Sequence, residues 1–546
     1  MKEEKEITNS KFQIRLPLLL SLTLSIGILI GSEFFGNRAP STKKVNVSVR
    51  KFGDILNYIQ EYYVDTVDIN ELTEYAIKQM FTKLDPHTVY IPKEDTELVN
   101  SQLRGDFEGV GIEFNVFRDT VTVMSVIEGG PSAKAGLKSG DRILMVDEDT
   151  IAGVGITNDK IVHLLRGEKG SKVLLMVMRK GEEAPMKFTV SRGTIPTQTV
   201  DVSYMVNPEI GYIKISRFGI KTYDEFKVAL DRLKREGMQK LILDLRDNGG
   251  GYLDKAVQIA DEFLQGDELI VYTDGKNDQF DARENGKRKG DFESGDLIVL
   301  INESSASASE VLSGALQDND RALIVGRRSF GKGLVQRQIG LIDNSQLRLT
   351  ISRYYTPSGR SIQKPYEVEQ SYQSDLSNRY QHGEYFHVDS IKFSDSLKYE
   401  TTNGRAVYGG GGIMPDYFVP LDTSFYTPFL GAINQLDLIR SFALDFANER
   451  FEQLEKMGIK KFAADYKLEK ELLRQFLTLV RNNEVSFDEA QYAISENFIS
   501  NRLKAFVART VWGDAGFYQI FQEHDEIFRQ ALTLIKDDQA FLSLKK

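Results

Sequence analysis

Between residues 210 and 330 the sequence alternates short apolar runs with amphipathic stretches, and few architectures accept that alternation. Residues 210–215, 241–245, 297–301 and 322–325 are apolar and of strand length, the pattern of strands buried on both faces. Between them lie 223–233, then Leu253, Ala256, Val257, Ala260, Phe263 and Leu264, then Val311, Leu312, Ala315 and Leu316, all with helical spacing. Strands and helices taken in turn hide their apolar faces by stacking in layers, so a mixed α/β core is expected.

Two strand-to-helix junctions in that core carry chemistry. ArgAspAsnGlyGlyGly at 246–251 is a layout that receives anions at a helix N-terminus, or else a plain tight turn. Residues 304–309 crowd Ser304, Ser305, Ser307 and Ser309 ahead of a helix, and Lys332 follows the last strand among Phe330, Gly331, Gly333, Leu334 and Val335. A serine hydroxyl attacks only when a neighbour takes its proton. Lysine can do so only when neutral, and at its ordinary pKa about one in 2,500 is neutral at pH 7. Lowering that pKa by ~3 demands about 4 kcal/mol, which burial supplies and a carboxylate would undo. Along the chain the nearest acids to Lys332 are Asp320 and Asp343. The serines at 304–309, Ser307 among them, are therefore candidate nucleophiles, and Lys332 is the candidate base. Ser304, Ser305 and Ser309 remain rivals, and Ser307 with Glu310 also has capping-box spacing. Residues 326–333, GlyArgArgSerPheGlyLysGly, fit a phosphate loop up to its lysine, but Gly333 stands where a magnesium-binding Ser or Thr is needed.

Composition narrows the rest. A chain of 546 residues holds about three or four domains. A net charge of −10 with no Lys/Arg cluster argues against a nucleic-acid partner. Zero cysteines exclude disulfides, thiolate metal sites and a cysteine nucleophile, and five scattered histidines without HExxH point to no metal or other cofactor. No GxSxG elbow is present.

The domain plan follows the chain. Residues 1–15 carry Lys2, Lys5, Lys11 and Arg15, and the apolar run 16–31, extendable to 35, is a signal or an anchor. A poor small-x-small pattern favours an uncleaved anchor, with the basic side in the cytoplasm and the rest exported, as at a bacterial inner membrane with the following domains in the periplasm or outside the cell. Residues 45–103 have the spacing of a helical arm, 104–193 form a compact β-rich unit with glycine turns, and 194–428 hold the α/β core. The polar stretch 366–405 is expected to be a lid or a disordered insertion. From 429 to 546 the chain looks all-helical, a surface for self-association or an adaptor.

Residues 109–112, GlyValGlyIle, and the run ProSerAlaLysAlaGlyLeuLysSerGlyAsp at 131–141 resemble a PDZ domain. In such a domain Gly109, Val110, Gly111 and Ile112 would receive a peptide carboxylate beside an open strand edge. The patterns LeuAspProHis, LeuArgAspAsnGlyGlyGly, SerAlaSerAlaSerGlu, SerPheGlyLysGlyLeuValGln, TyrTyrThrProSerGlyArg and GlyIleMetProAsp occur in that order. Over roughly 48–420 the chain thereby resembles the carboxy-terminal processing proteases, Ser-Lys peptidases with a PDZ domain. The resemblance implies Ser307 as nucleophile, Lys332 as base and Gln336 as the residue placing the lysine. It further implies backbone N–H groups of Ala308 and of a glycine such as Gly249 or Gly250 as the oxyanion hole, and Arg166 in gating. Substrates would be proteins or peptides with apolar C-termini. The alternative is a catalytically silent PDZ scaffold that tethers protein tails.

Overall fold

The computed structural model describes residues 42–544 apart from 118, 128, 367–371, 393 and 467–469. The expected anchor at 16–35 lies outside the described residues; among those described no helix is long and apolar enough to cross a membrane. The chain divides into two units, 1–83 and 84–546. In the first, helices Thr42–Tyr62 and Ile69–Phe81 are amphipathic, and Asp68 caps the second by accepting the N–H groups of Asn70 and Glu71.

The arm expected over 45–103 is therefore not one element. Asp85 accepts the N–H groups of His87 and Thr88, each at 2.9 Å, and so turns the chain out of helix. Strand Val89–Ile91 and helix Lys93–Arg104 (α1) follow, and the strand pairs with Gln346–Tyr355 of the second unit.

An antiparallel sheet comes next, ordered Ile112–Phe117 (β1), Thr120–Val126, Arg142–Val146, Lys172–Met178 and Met186–Ser191, with helix Asn158–Leu165 (α2) beside it. Val121, Val123, Ile143, Leu175 and Val177 are its core. The two ends of this unit are zipped together, Asp106 opposite Pro196 and Gly109 opposite Gly193. In the sheet order β1 is terminal, so one of its edges has no strand partner among the described residues.

The main sheet has six strands in the order Val200–Met205, Ile210–Ile215 (β2), Lys240–Asp244 (β3), Leu297–Ile301 (β4), Leu323–Gly326 (β5) and Tyr417–Phe418. All neighbours from β2 onward are parallel, with Ile242 opposite Ile298 and Leu300 opposite Val325. Every residue of β2 and β4 is buried, as the unbroken apolar run of β4 requires, and in β2 the burial includes Lys214. Helices Thr222–Arg235, Leu253–Ala260 (α3) and Ala308–Asp318 (α4) cover one face through Phe226, Leu230, Ile259 and Leu312. The antiparallel hairpin Leu334–Gly340 (β6) and Gln346–Tyr355 (β7) stands beyond β5.

Two expectations change here. Residues 372–405 are folded where described, with a helix at Asp375–Gln381 and a hairpin of Lys398–Glu400 with Ala406–Tyr408. Buried Arg379 bonds the carbonyls of Arg328 and Ser329 and pairs with Glu384, which also holds Arg328. The charges that make this stretch look solvated are spent on one another inside. The helical region likewise divides. Helices from Leu438–Glu449 (α5) to Glu489–Phe521 (α6) gather around Phe429, Phe462, Phe476 and Leu503. The last helix, Glu526–Leu534, leaves that core and puts Ile527, Phe528 and Ala531 on Tyr212, Ile242 and Ile298, sealing the second face of the sheet.

Candidate active site

Ser307 is the N-cap of α4, with φ 56° and ψ −114°. Such a conformation costs a non-glycine residue about 1–3 kcal/mol and persists only where neighbours impose it. Glu310 Oε2 accepts the Ser307 N–H at 2.8 Å, closing the capping box from its acidic side. The Tyr354 hydroxyl donates to the Lys332 carbonyl at 2.6 Å and lies 3.1 Å from the Ser307 carbonyl, tying the two loops together.

The fold separates the four serines. Ser305 and Ser309 are fully buried, their hydroxyls donating to the carbonyls of Leu245 and Asn248 at 2.8 Å. Ser304 is exposed and outside the cleft wall. Ser307 alone of the four lines a cleft of about 580 Å³, together with Ala308, Gly249, Gly250, Gly251, Lys332 and Gln336.

Lys332 Nζ donates to Gln336 Oε1 at 2.9 Å, and Gln336 Nε2 in turn donates to the His87 carbonyl. Burial, helped by the Arg348 guanidinium, brings the Lys332 amine down to about 8, against the opposing pull of Glu310 and Asp85. These two acids, and not Asp320 or Asp343, are the ones folding brings near. Neither forms an ion pair with Nζ. Glu310 spends its oxygens on the N–H groups of Gly331 and Lys332, at 2.7 and 2.9 Å, and on the Ser329 hydroxyl at 2.5 Å. Asp85 is held by His87, Thr88 and the Thr350 hydroxyl. The carboxylate of Glu310 also fills the place a phosphate would need at 331–332, which removes the nucleotide reading.

Of the glycines, Gly250 has its N–H committed to Asn248 Oδ1 at 2.9 Å, contrary to the expectation that it is a free oxyanion donor. The N–H groups of Gly249 and Ala308 have no acceptor among the described residues. Gly250 matters sterically: at φ 98° a Cβ would stand 2.8 Å from Ser307 Cβ and 2.7 Å from the Ala306 carbonyl. A hydroxyl, an amine of lowered proton affinity and N–H donors at a helix start are parts that acyl transfer uses.

Gly109 to Ile112 lie where β1 begins. Gly111 has φ 76°, and the Val110 carbonyl accepts from Ser132 N–H and Oγ at 3.0 and 2.7 Å. Arg166 bridges Gly109 through its backbone, donates from Nη1 to Ser101 Oγ at 2.9 Å and rests on the Phe107 ring. Ser101 and the cleft-lining Leu103 sit on the same helix, α1. Sequence reasoning overlooked Tyr354, Arg348 and His87. Tyr354 and His87 lie inside motifs that stand out in the sequence, but their partners are far along the chain.

The chain matches the model of peptidase family S41 over residues 209–373, that of the PDZ domain over 109–190 and that of a family of unknown function over 429–513. A carboxy-terminal-processing protease of Bartonella bacilliformis is 38% identical over 341 residues, 62% of this chain and 76% of that one. A probable CtpA-like serine protease of Staphylococcus aureus is 32% identical over 366 residues, 65% of this chain and 72% of that one. Among solved structures, a photosystem II D1 C-terminal processing protease is 25% identical, with 68% of this chain and 86% of that one covered at a TM-score of 0.36. The chain belongs to the carboxy-terminal processing proteases, PDZ-containing serine peptidases of family S41.

Proposed function

We propose that this peptidase works by a Ser-Lys mechanism on the C-terminal tails of exported proteins. Ser307 attacks the scissile carbonyl, Lys332 takes the hydroxyl proton and returns it to the leaving amine, and Gln336 fixes the amine. The N–H groups of Ala308 and Gly249 receive the oxyanion. The observation that carries this reading is the partner of Nζ: in a buried cleft shared with Ser307, the lysine bonds an amide oxygen and no carboxylate. With its pKa near 8, about one such lysine in four is neutral at pH 7.5.

The open edge of β1 and the loop at Gly109–Ile112 suit capture of an extended apolar tail by strand addition. Arg166 then links that loop to α1, and through α1 to the cleft wall at Leu103. An anchor at 16–35 would hold the enzyme on a bacterial inner membrane with these domains outside the cytoplasm. The test is cleavage of a protein with an apolar C-terminus by the full-length chain. Ser307→Ala and Lys332→Ala should both stay folded and yield no product; turnover by either variant overturns the assignment. Membrane fractionation with protease accessibility tests the location, and labelling confined to the cytoplasm overturns it.

A further inference from the structure

Behind the catalytic loops lies a second cavity, about 640 Å³, between the carboxyl ends of the parallel strands and the helices of the C-terminal region. Ligands of open α/β sheets sit at such strand ends, and this volume lies within the range of small-molecule pockets. None of its wall belongs to the Ser307 cleft.

The cations of this cavity are unequal. Arg246 is paired with Asp244 at 2.6 Å and Asp525 at 2.7 Å, and Arg327 with Glu303 at 2.8 Å. Lys214 donates to the Arg246 carbonyl at 2.9 Å and lies 3.8 Å from Asp244. Arg502, on α6, has no hydrogen bond and no ion pair among the described residues. Its guanidinium carbon lies over the rings of Phe498 and Phe521, 4.8 and 4.1 Å from the ring centroids. Burial, against the opposing pull of Asp525, brings its pKa down to about 10, so the charge persists at neutral pH. A guanidinium that meets aromatic rings and no carboxylate keeps N–H donors for a bidentate anion. The walls beside it, Phe425 and Phe517 among them, are aromatic.

We propose that this cavity binds a free carboxylate carried on an apolar body, with Arg502 holding the carboxylate and the phenylalanine rings the body. A peptide C-terminus and a small aromatic acid both have this chemistry. The occupant would lie against the backs of both catalytic loops. Asp247, two residues before Gly249, and Asn302, at the start of the loop to Ser307, both line the cavity. They bond each other through Asn302 Nδ2 to Asp247 Oδ1 at 2.8 Å and the Asp247 N–H to Asn302 Oδ1 at 3.0 Å. The proposal does not depend on the Ser-Lys reading.

The test is calorimetric titration of the full-length Ser307→Ala protein with N-acetylphenylalanine, its amide, and a tripeptide ending in phenylalanine. The acid should bind, the amide should not, and Arg502→Gln should weaken the acid at least tenfold, while Arg502→Lys, which keeps the charge but not the planar fork, should weaken it less than Arg502→Gln does. Thermal melting checks that the variants fold. Ser424→Glu, at an exposed position on the cavity wall, should weaken the acid without disturbing the packing. Loss of a tripeptide site on Arg502→Gln identifies a chain terminus as occupant; an Arg502-dependent site for the single acid alone identifies a small acid. Equal binding of acid and amide, no binding of the acid, or an acid indifferent to both Arg502→Gln and Ser424→Glu overturns the proposal.

Discussion

Lys332 and Arg502 are both cations pushed into a cavity and denied a carboxylate, and the same environment gives them opposite capacities. Burial takes the lysine from 10.5 to about 8 and brings the arginine down from its ordinary value to about 10. The drop is similar in size. Yet it carries the ammonium to the edge of neutrality at working pH and leaves the guanidinium charged. Lys332 can accept a proton; Arg502 can only hold an anion. The partners differ to match, an amide oxygen on Nζ against two aromatic faces.

The sharpest way to break the comparison is to exchange the residue types. Lys332→Arg keeps a cation in the cleft but not a base, and kcat in a peptide-cleavage assay should fall on the order of 10⁴-fold. Retained activity would show that charge, and not basicity, is what the cleft uses. Next in size, Gln336→Glu puts a carboxylate on Nζ in place of the amide. It should raise the Lys332 pKa by about 2 and cut the rate at pH 7 by about 100-fold, with activity partly recovered at higher pH. Arg502→Gln should cost at least about tenfold in N-acetylphenylalanine affinity, read by calorimetry.

The smallest effect concerns pH. Because the proton-accepting form of Lys332 is the neutral one, kcat/KM should rise with pH through a midpoint near 8. Arg348 holds that midpoint down by repelling the ammonium form. Arg348→Gln should therefore move the limb upward by about half a pH unit, equivalent to about a threefold loss at pH 7. A limb that stays put or moves down would place the source of the lowered pKa in burial alone.

Much of the architecture was legible because its signals are local. The apolar runs of β2 to β5, the glycines at 249–251, the serine-rich helix start and the lysine turn each declare themselves within a dozen residues. The choice of Ser307 over Ser305 and Ser309 was not legible from spacing; it depends on carbonyls of Leu245 and Asn248 that occupy the rivals. Nor could the polar stretch 366–405 reveal that Arg379 and Glu384 close an internal network with Arg328. The final helix read as one more piece of a helical tail, because its apolar stripe says that it must be covered and not by what.

The sequence by itself determined which residues form strands and helices, since backbone preference and hydrophobic period act between near neighbours. It also determined which side chains have the right functional groups. Only the tertiary structure decided what those groups are worth. Glu310 lies 22 residues from the Lys332 N–H that it accepts, Tyr354 lies 47 from the Ser307 carbonyl, and Arg502 meets the ring of Phe521 from the far end of its own helix. Proton affinity and hydrogen-bond satisfaction depend on distance and burial in space, and no reading along the chain contains those.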